Sequence, residues 1–188
     1  MIVQQPFRVL AVCTGNISRS PAVERLLAVG LGSSVVVASA GTAAVVGHPI
    51  DRGMATRLAE AGGRVDGFSA RQVTPVLLRE ADLVLALTRD HRARVVELAP
   101  GIVRRAHTLL EFARIARVLD LDAVPSASPG ERLRTIVPLA AAMRPMIRRS
   151  AGESDDVPDP FGRDAVAYDL AMRLILDATS TIISVARG

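Results

Sequence analysis

The chain has 188 residues, enough for one domain with a sizeable core and too few for two ordinary ones. Hydrophobic residues make up 49% and aromatic residues only 3%, so a core of Ala, Val, Leu and Ile is expected and a disordered chain is excluded. The formal charge of +4 comes from arginine, since there is no lysine, and the single cysteine excludes a disulfide framework and any multi-cysteine zinc or iron-sulfur site.

The arginines are scattered, mostly singly or in pairs, without interleaved aromatics, so no nucleic-acid partner is expected. The N-terminal stretch MIVQQPFRVLAV lacks a basic segment followed by an apolar leader core, and no uninterrupted apolar run approaches a membrane span. A cytoplasmic protein with no membrane partner is the expectation. FRVLAV, Phe7 to Val12, is short, apolar and rich in β-formers, and it stops at the Cys-Thr-Gly-Asn turn signals, which predicts a buried strand. The following helix is expected to start near Pro21, a residue suited to a first turn.

SVVVASAGT, Ser34 to Thr42, reads as a second strand, and HPIDRGMATRLAEAGG, from His48, as a helix closed by Gly62 and Gly63. DLVLAL, Asp82 to Leu87, is another buried strand, followed by the helical pattern of RDHRARVVELAP. From Leu109 onward strands disappear: LLEFARIARVLDL and GERLRTIVPLAAAMRPMIRR read as helices, and a last helix runs from about Asp164 to Val185. The loops DAVPSASPG and SAGESDDVPDPFG are rich in Ser, Pro, Gly and Asp and are the expected mobile segments. Apolar strands alternating with helices predict βαβ units, hence an α/β three-layer sandwich with a mostly parallel central sheet and helices on both faces. Sites in such sheets lie at the carboxyl ends of the strands, and Cys13 lies at one of them.

A thiol becomes an effective nucleophile when its thiolate is favoured, and helix N-terminal N–H groups with a nearby guanidinium favour it. Cys13, just before a predicted helix and six residues before Arg19, is offered both. The residues between them, Thr14, Gly15, Asn16, Ile17 and Ser18, suffice to wrap a loop whose N–H groups point inward at the positive end of a helix dipole, a nest that fits a phosphate. Gly15 and Asn16 tolerate positive φ, and Arg19 offers a planar fork that matches two phosphate oxygens. A lone cysteine after a strand is otherwise a small buried residue; the Gly-Asn within the loop and the Ser-Pro after it argue for the site.

These residues, VCTGNISRSPAVE, resemble the signature of the low-molecular-weight protein tyrosine phosphatase family, whose Cys-x5-Arg-Ser loop performs metal-free phosphoryl transfer through a phosphocysteine. Further landmarks recur in order: SAGT at Ser39 to Thr42, GHPID at Gly47 to Asp51, ARQVT at Ala70 to Thr74, DLVLALTRDH at Asp82 to His91 and PDPF at Pro158 to Phe161. The resemblance implies a four-stranded sheet with the phosphate-binding loop after the first strand, in one domain spanning 1–188. It implies Cys13 as nucleophile, Arg19 with Thr14 to Ser20 as the phosphate cradle, and Ser20 as a hydrogen-bond partner of Cys13. A leaving phenolate needs a proton and the later water attack a base; the family supplies both from an Asp-Pro-aromatic motif, here Asp159. Asp155, Asp156 and Asp164 are nearby, but only Asp159 fits the motif with Pro160 after it. Phe161 is the candidate ring for a pocket wall. No metal or organic cofactor is implied, and the partner would be a phosphotyrosyl protein, met by a monomer or weak dimer.

The chain also departs from the family. Ser18 stands where many relatives carry a second cysteine, Gly162 follows Phe161 where many have a second aromatic, and Phe68 replaces a histidine that often helps to order the loop Asn, which puts the support of Asn16 in doubt. Extra length lies near residues 118–156 and is expected to add packing. His48, His91 and His107 belong to no ligand-spaced cluster and are read as structural. Two other functions remain open: arsenate reduction with an external small thiol, which needs only Cys13, and a non-catalytic phosphate- or phosphotyrosine-binding module.

Overall fold

Strand β1, Phe7–Cys13, is covered on both faces, and its alternation shows how. Phe7, Val9, Ala11 and Cys13 join one core cluster while Leu10 and Val12 join the other, as side chains of period two must when both faces are buried. β2 is Val35–Gly41, β3 Leu83–Ala86 and β4 Ala106–Thr108. All four strands are parallel, in the order β2-β1-β3-β4, with Cys13 opposite Gly41 and Val12 opposite Ala86. The computed structural model describes residues 5–121, 124, 127–147 and 154–188. Residues 1–4, 122–123, 125–126 and 148–153 lie outside the described residues, and with them parts of the expected mobile segments DAVPSASPG and SAGESDDVPDPFG and the end of the helix read over GERLRTIVPLAAAMRPMIRR.

Helices cover both faces. On one side lie α1, Arg19–Leu31, α2, Arg52–Glu60, α5, Leu109–Val118, α6, Pro129–Met143, and α7, Ala165–Arg187. On the other lie α3, Pro75–Glu80, and α4, Arg89–Leu98. In α7 the buried residues Tyr168, Ala171, Met172, Ile175, Ala178, Thr179, Ile182, Val185 and Ala186 recur at helical spacing, which lays one stripe against α1 and α5. Among the described residues no helix is long and apolar enough to cross a membrane.

Several boundaries differ from the sequence-based expectation for identifiable reasons. The first helix starts at Arg19, so Pro21 sits inside its first turn. The second starts at Arg52 and not at His48, because Asp51 caps it by accepting the N–H groups of Gly53 and Met54. α6 ends at Met143, two residues before Pro145, and carries Pro138 within it. The sheet's fourth strand, β4, has three residues, too few for a pattern to register. The outward carbonyl of Ala106 accepts from Arg92 Nε and Arg144 Nη2, both at 2.7 Å, which stoppers this edge of the sheet.

α6 lies in the extra length of the chain and packs under the amino ends of the strands. Leu133, Ile136, Val137 and Ala140 join the core cluster, and buried Arg132 donates to the carbonyls of Val124 and Val185. A Cβ at Gly130 would lie 2.5 Å from the Ser34 carbonyl oxygen and 3.3 Å from Phe7 Cβ. Gly130→Ala is therefore expected to lower stability by about 1–3 kcal/mol through overpacking, despite the better helix propensity of Ala. A drop in the urea midpoint checks this; an unchanged midpoint would mean that α6 does not press on β1.

Candidate active site

Between β1 and α1 the backbone turns its carbonyls outward. Those of Cys13, Thr14, Gly15, Ile17 and Ser18 accept from Thr42, Ala43, Val45, Asp51 and Ala22, at 2.7 to 3.4 Å. The N–H groups of Thr14 to Ser18 bond to no acceptor among the described residues. Asn16 has φ 55°, the one described non-glycine residue in the left-handed region, as an inward-facing nest requires. Gly41 permits this packing, for a Cβ there would overlap the Thr14 carbonyl. Cys13 sits at the floor of the loop, buried, and Arg19 opens α1 with only 4% of its surface exposed.

A buried amide sets the polarity of this floor. The backbone N–H of Arg71 donates to Asn16 Oδ1 at 2.8 Å, so the other end of the amide must be Nδ2. Nδ2 donates to Ser20 Oγ at 3.0 Å and to Ser39 Oγ at 2.8 Å, and Ser39 in turn donates to Glu24 Oε2 at 2.6 Å. Ser20 Oγ, which accepts from Asn16, keeps its own proton to offer, and Cys13 Sγ lies 2.9 Å away. The doubt raised by Phe68 is answered here: Asn16 is held by a backbone N–H and two serines, while Phe68 takes the guanidinium of Arg25 over its ring at 5.7 Å.

The four aspartates of the second loop have different partners. Asp155 pairs with Arg114 at 2.6 Å, Asp156 accepts from the Arg89 N–H at 2.7 Å, and Asp164 caps α7 through the Ala167 N–H at 2.9 Å. Asp159 alone of the four reaches Arg19, with Oδ2 2.6 Å from Nη2, and half of its side chain is exposed. Arg19 Nη1 also donates to the Val157 carbonyl at 3.0 Å, and the Val157 N–H to the Leu87 carbonyl at 2.8 Å, which ties the loop to the end of β3. Arg19 Nε and Ser18 Oγ are buried and make no hydrogen bond among the described residues.

Phe161 is 59% exposed, and its N–H donates to Asp159 Oδ1 at 3.2 Å. Two further neighbours of the loop are not among the site residues expected from the sequence: Val45, which it does not single out, and His91, which it reads as structural. Val45 and Val46 are exposed apolar residues, and Val45 stands against Gly15, where an added Cβ would lie 3.6 Å from Val45 Cγ2. His91 lies 2.8 Å from the Thr14 hydroxyl through Nε2. Neither has a local signal, since each meets the loop from a distant segment. His48 is exposed, and His107 is fully buried beside Arg144. Among the described residues no group of three or more His, Cys, Asp or Glu could hold a metal ion.

Burial, followed by the charge of Arg19, pushes the His91 pKa down to about 4, and burial lowers that of His107 as well. Both rings are neutral when folded, whereas the unfolded chain takes up protons near the ordinary value of about 6.5. Stability is therefore complete above about pH 6.5 and is lost as pH falls toward 4, by about 3 kcal/mol for His91 alone. Urea midpoints at pH 7 and pH 4.5 check this, and His91→Gln should flatten the difference. The orientation of Ser20 carries its own test. Ser20→Ala should slow alkylation of Cys13 by iodoacetate at pH 7 up to about ten-fold, as loss of one hydrogen bond to the sulfur implies; an unchanged rate would mean that the hydroxyl proton points elsewhere.

Residues 8–132, which include the whole loop from Cys13 to Arg19, match the family described as low molecular weight phosphotyrosine protein phosphatase. Etp of Escherichia coli K12, a low molecular weight protein-tyrosine-phosphatase, is 42% identical over 102 residues, 54% of this chain and 67% of its own length. The similarly named Wzb of Salmonella typhi is 39% identical over 93 residues, 50% of this chain and 62% of its own length. The matched stretch thus spans about two thirds of these curated relatives. YwlE arginine phosphatase from Geobacillus stearothermophilus shares the fold with TM-score 0.70 and 24% identity, over 95% of this chain and 92% of that one. Wzb of Vibrio vulnificus, solved with benzylphosphonate, does so with TM-score 0.67 and 23% identity, over 96% and 99%. These two likenesses carry the fold alone; the sequence match carries more, and by it the chain belongs to the low molecular weight phosphotyrosine protein phosphatase family, in which the relatives named protein-tyrosine-phosphatases are phosphoric monoester hydrolases.

Proposed function

We propose that this chain is a protein tyrosine phosphatase that hydrolyses phosphotyrosine on proteins without a metal, through a phosphocysteine. The observation that carries the reading is the convergence of an inward-facing N–H loop, a thiol at its floor and a guanidinium already shared with a carboxylate. Cys13 Sγ attacks phosphorus in line while the P–O bond to the tyrosine breaks. The loop N–H groups and Arg19, whose Nε has no partner among the described residues, hold the equatorial oxygens as charge spreads over them.

Asp159, when protonated, delivers its proton to the leaving phenolate oxygen. To do so its carboxyl must leave Arg19 Nη2 to the phosphate, which competes for the same guanidinium. Water then attacks the phosphocysteine, Asp159 takes a proton from it, the S–P bond breaks, and inorganic phosphate departs. The Ser20 hydroxyl, 2.9 Å from Sγ, stabilises the sulfur as it leaves. Phe161 and Val45 supply apolar surface for an aryl group. Both the acid beside Arg19 and the hydroxyl on sulfur favour catalysis over a module that only binds phosphate, because binding needs neither.

The test is phosphate release from p-nitrophenyl phosphate and from a phosphotyrosine peptide in excess chelator. Activity is expected to vanish in Cys13→Ser and to fall about 100-fold or more in Asp159→Asn, as loss of a general acid implies. A fully reduced, unmodified protein that is inert on both substrates overturns the reading and turns attention to arsenate reduction with an external thiol.

A further inference from the structure

The N-terminal turn of α4 touches both loops of the site. Thr88 caps it, accepting the His91 backbone N–H at 3.1 Å, and the same hydroxyl lies 2.9 Å from His91 Nδ1. The other ring nitrogen, Nε2, lies 2.8 Å from the Thr14 hydroxyl. One residue before Asp90, the Arg89 N–H donates to Asp156 in the acid-bearing loop at 2.7 Å, and its guanidinium reaches the same carboxylate at 3.3 Å. His91 is buried and Thr14 exposed, so the ring forms a rigid post beneath the rim of the phosphate loop.

A neutral imidazole has one donor and one acceptor nitrogen, and each here faces a hydroxyl that can take either part. Both bonds therefore form in either tautomer. Thr14 is the first residue after the nucleophile, and its N–H is one of those turned into the loop. Its carbonyl is fixed by Ala43 at 3.0 Å. The remaining freedom of this residue is set by its side chain, and that side chain ends on His91.

We propose that His91 is a positioning residue: braced by Thr88, it holds Thr14 so that the first N–H of the loop is aimed at the charge that develops on phosphorus-bound oxygen. The inference rests on the phosphatase reading for its role in turnover, but not for its role in anion binding. A donor aimed at the transition state contributes more there than in the ground state. Truncation should therefore act on kcat and on a trigonal-bipyramidal mimic more than on KM or on tetrahedral phosphate.

The experiment compares the full-length unmodified protein with His91→Ala, His91→Gln, Thr14→Val and the His91→Ala/Thr14→Val pair. For each, kcat and KM on p-nitrophenyl phosphate are measured, with affinities for orthovanadate and inorganic phosphate by calorimetry. We expect His91→Ala to lower kcat and vanadate affinity about ten-fold, with KM and phosphate affinity within about two-fold. Thr14→Val should match it, the pair should be no worse than either, and His91→Gln, which keeps an amide in reach of Thr14, should recover to within about three-fold. Equal losses in vanadate and phosphate affinity, additive losses in the pair, or no loss in Thr14→Val would each overturn the proposal. Because Thr14 is exposed, its substitution keeps the question open to measurement even if His91→Ala does not fold. A protein that binds vanadate but turns nothing over would sink the phosphatase reading alone, and the anion affinities would still decide the role of His91. A protein that binds neither anion would overturn both.

Discussion

The site depends on which way one buried amide points. If Asn16 were flipped, its carbonyl oxygen would face Ser20 and Ser39, and a nitrogen would meet the N–H of Arg71, leaving a buried donor without an acceptor at a cost of about 1–3 kcal/mol. The main chain of Arg71 removes that choice. With that choice made, Ser20 and Ser39 both accept from Asn16, Ser20 keeps a proton to offer the sulfur, and Ser39 donates to Glu24. The residue that takes the left-handed conformation in the loop also sets its hydrogen-bond polarity, and five of the loop carbonyls, those of Cys13, Thr14, Gly15, Ile17 and Ser18, are each met by an N–H from a flanking segment. A loop so fully bonded on its outer side has its inner N–H groups ordered in advance, which is the condition for strong electrostatic stabilisation of an anion.

Arginine carries the polar work that lysine shares in most chains. Its planar fork suits backbone carbonyls and carboxylates that must be met at fixed angles. Arg19 spans the Val157 carbonyl and Asp159, Arg132 reaches Val124 and Val185 from inside the core, and Arg92 and Arg144 meet on Ala106. The acid-bearing loop is placed the same way: Arg114 and Arg89 take Asp155 and Asp156, so that the next aspartate along is the one presented to Arg19.

What is legible in the sequence is local or strictly periodic. The strand, the Cys-to-Arg spacing and the helix beyond it lie within one short stretch, so β1, the loop and α1 can be read directly. Strands β2 and β3 announce themselves as short apolar runs and the amphipathic α7 by its period. β4 and α3 are too short for a period, although Thr74-Pro75 does carry a helix-start signal. The support of Asn16 is easily misjudged, because a missing histidine is visible in a sequence, whereas a backbone N–H that every residue but proline carries is not. Asp159 can be set apart from its neighbours only by motif, since the pairings of Asp155 and Asp156 join residues 41 and 67 positions apart. His91 is unreadable for the same reason, at 77 positions from Thr14.

The helix that crosses beneath the amino ends of the strands is, measured along β1, about 20 Å from the sulfur, at roughly 3.3 Å per residue. It grips the first residue of β1 and the last turn of α7, at the end of the sheet away from the loop. The two ends of this sheet therefore answer to different demands. At one end a shift of a fraction of an ångström alters chemistry; at the other, added chain is answerable only to whether the protein stays folded. That division makes the floor of the molecule the place where length can be gained or exchanged, and where a fused domain or an immobilising tag would leave turnover undisturbed.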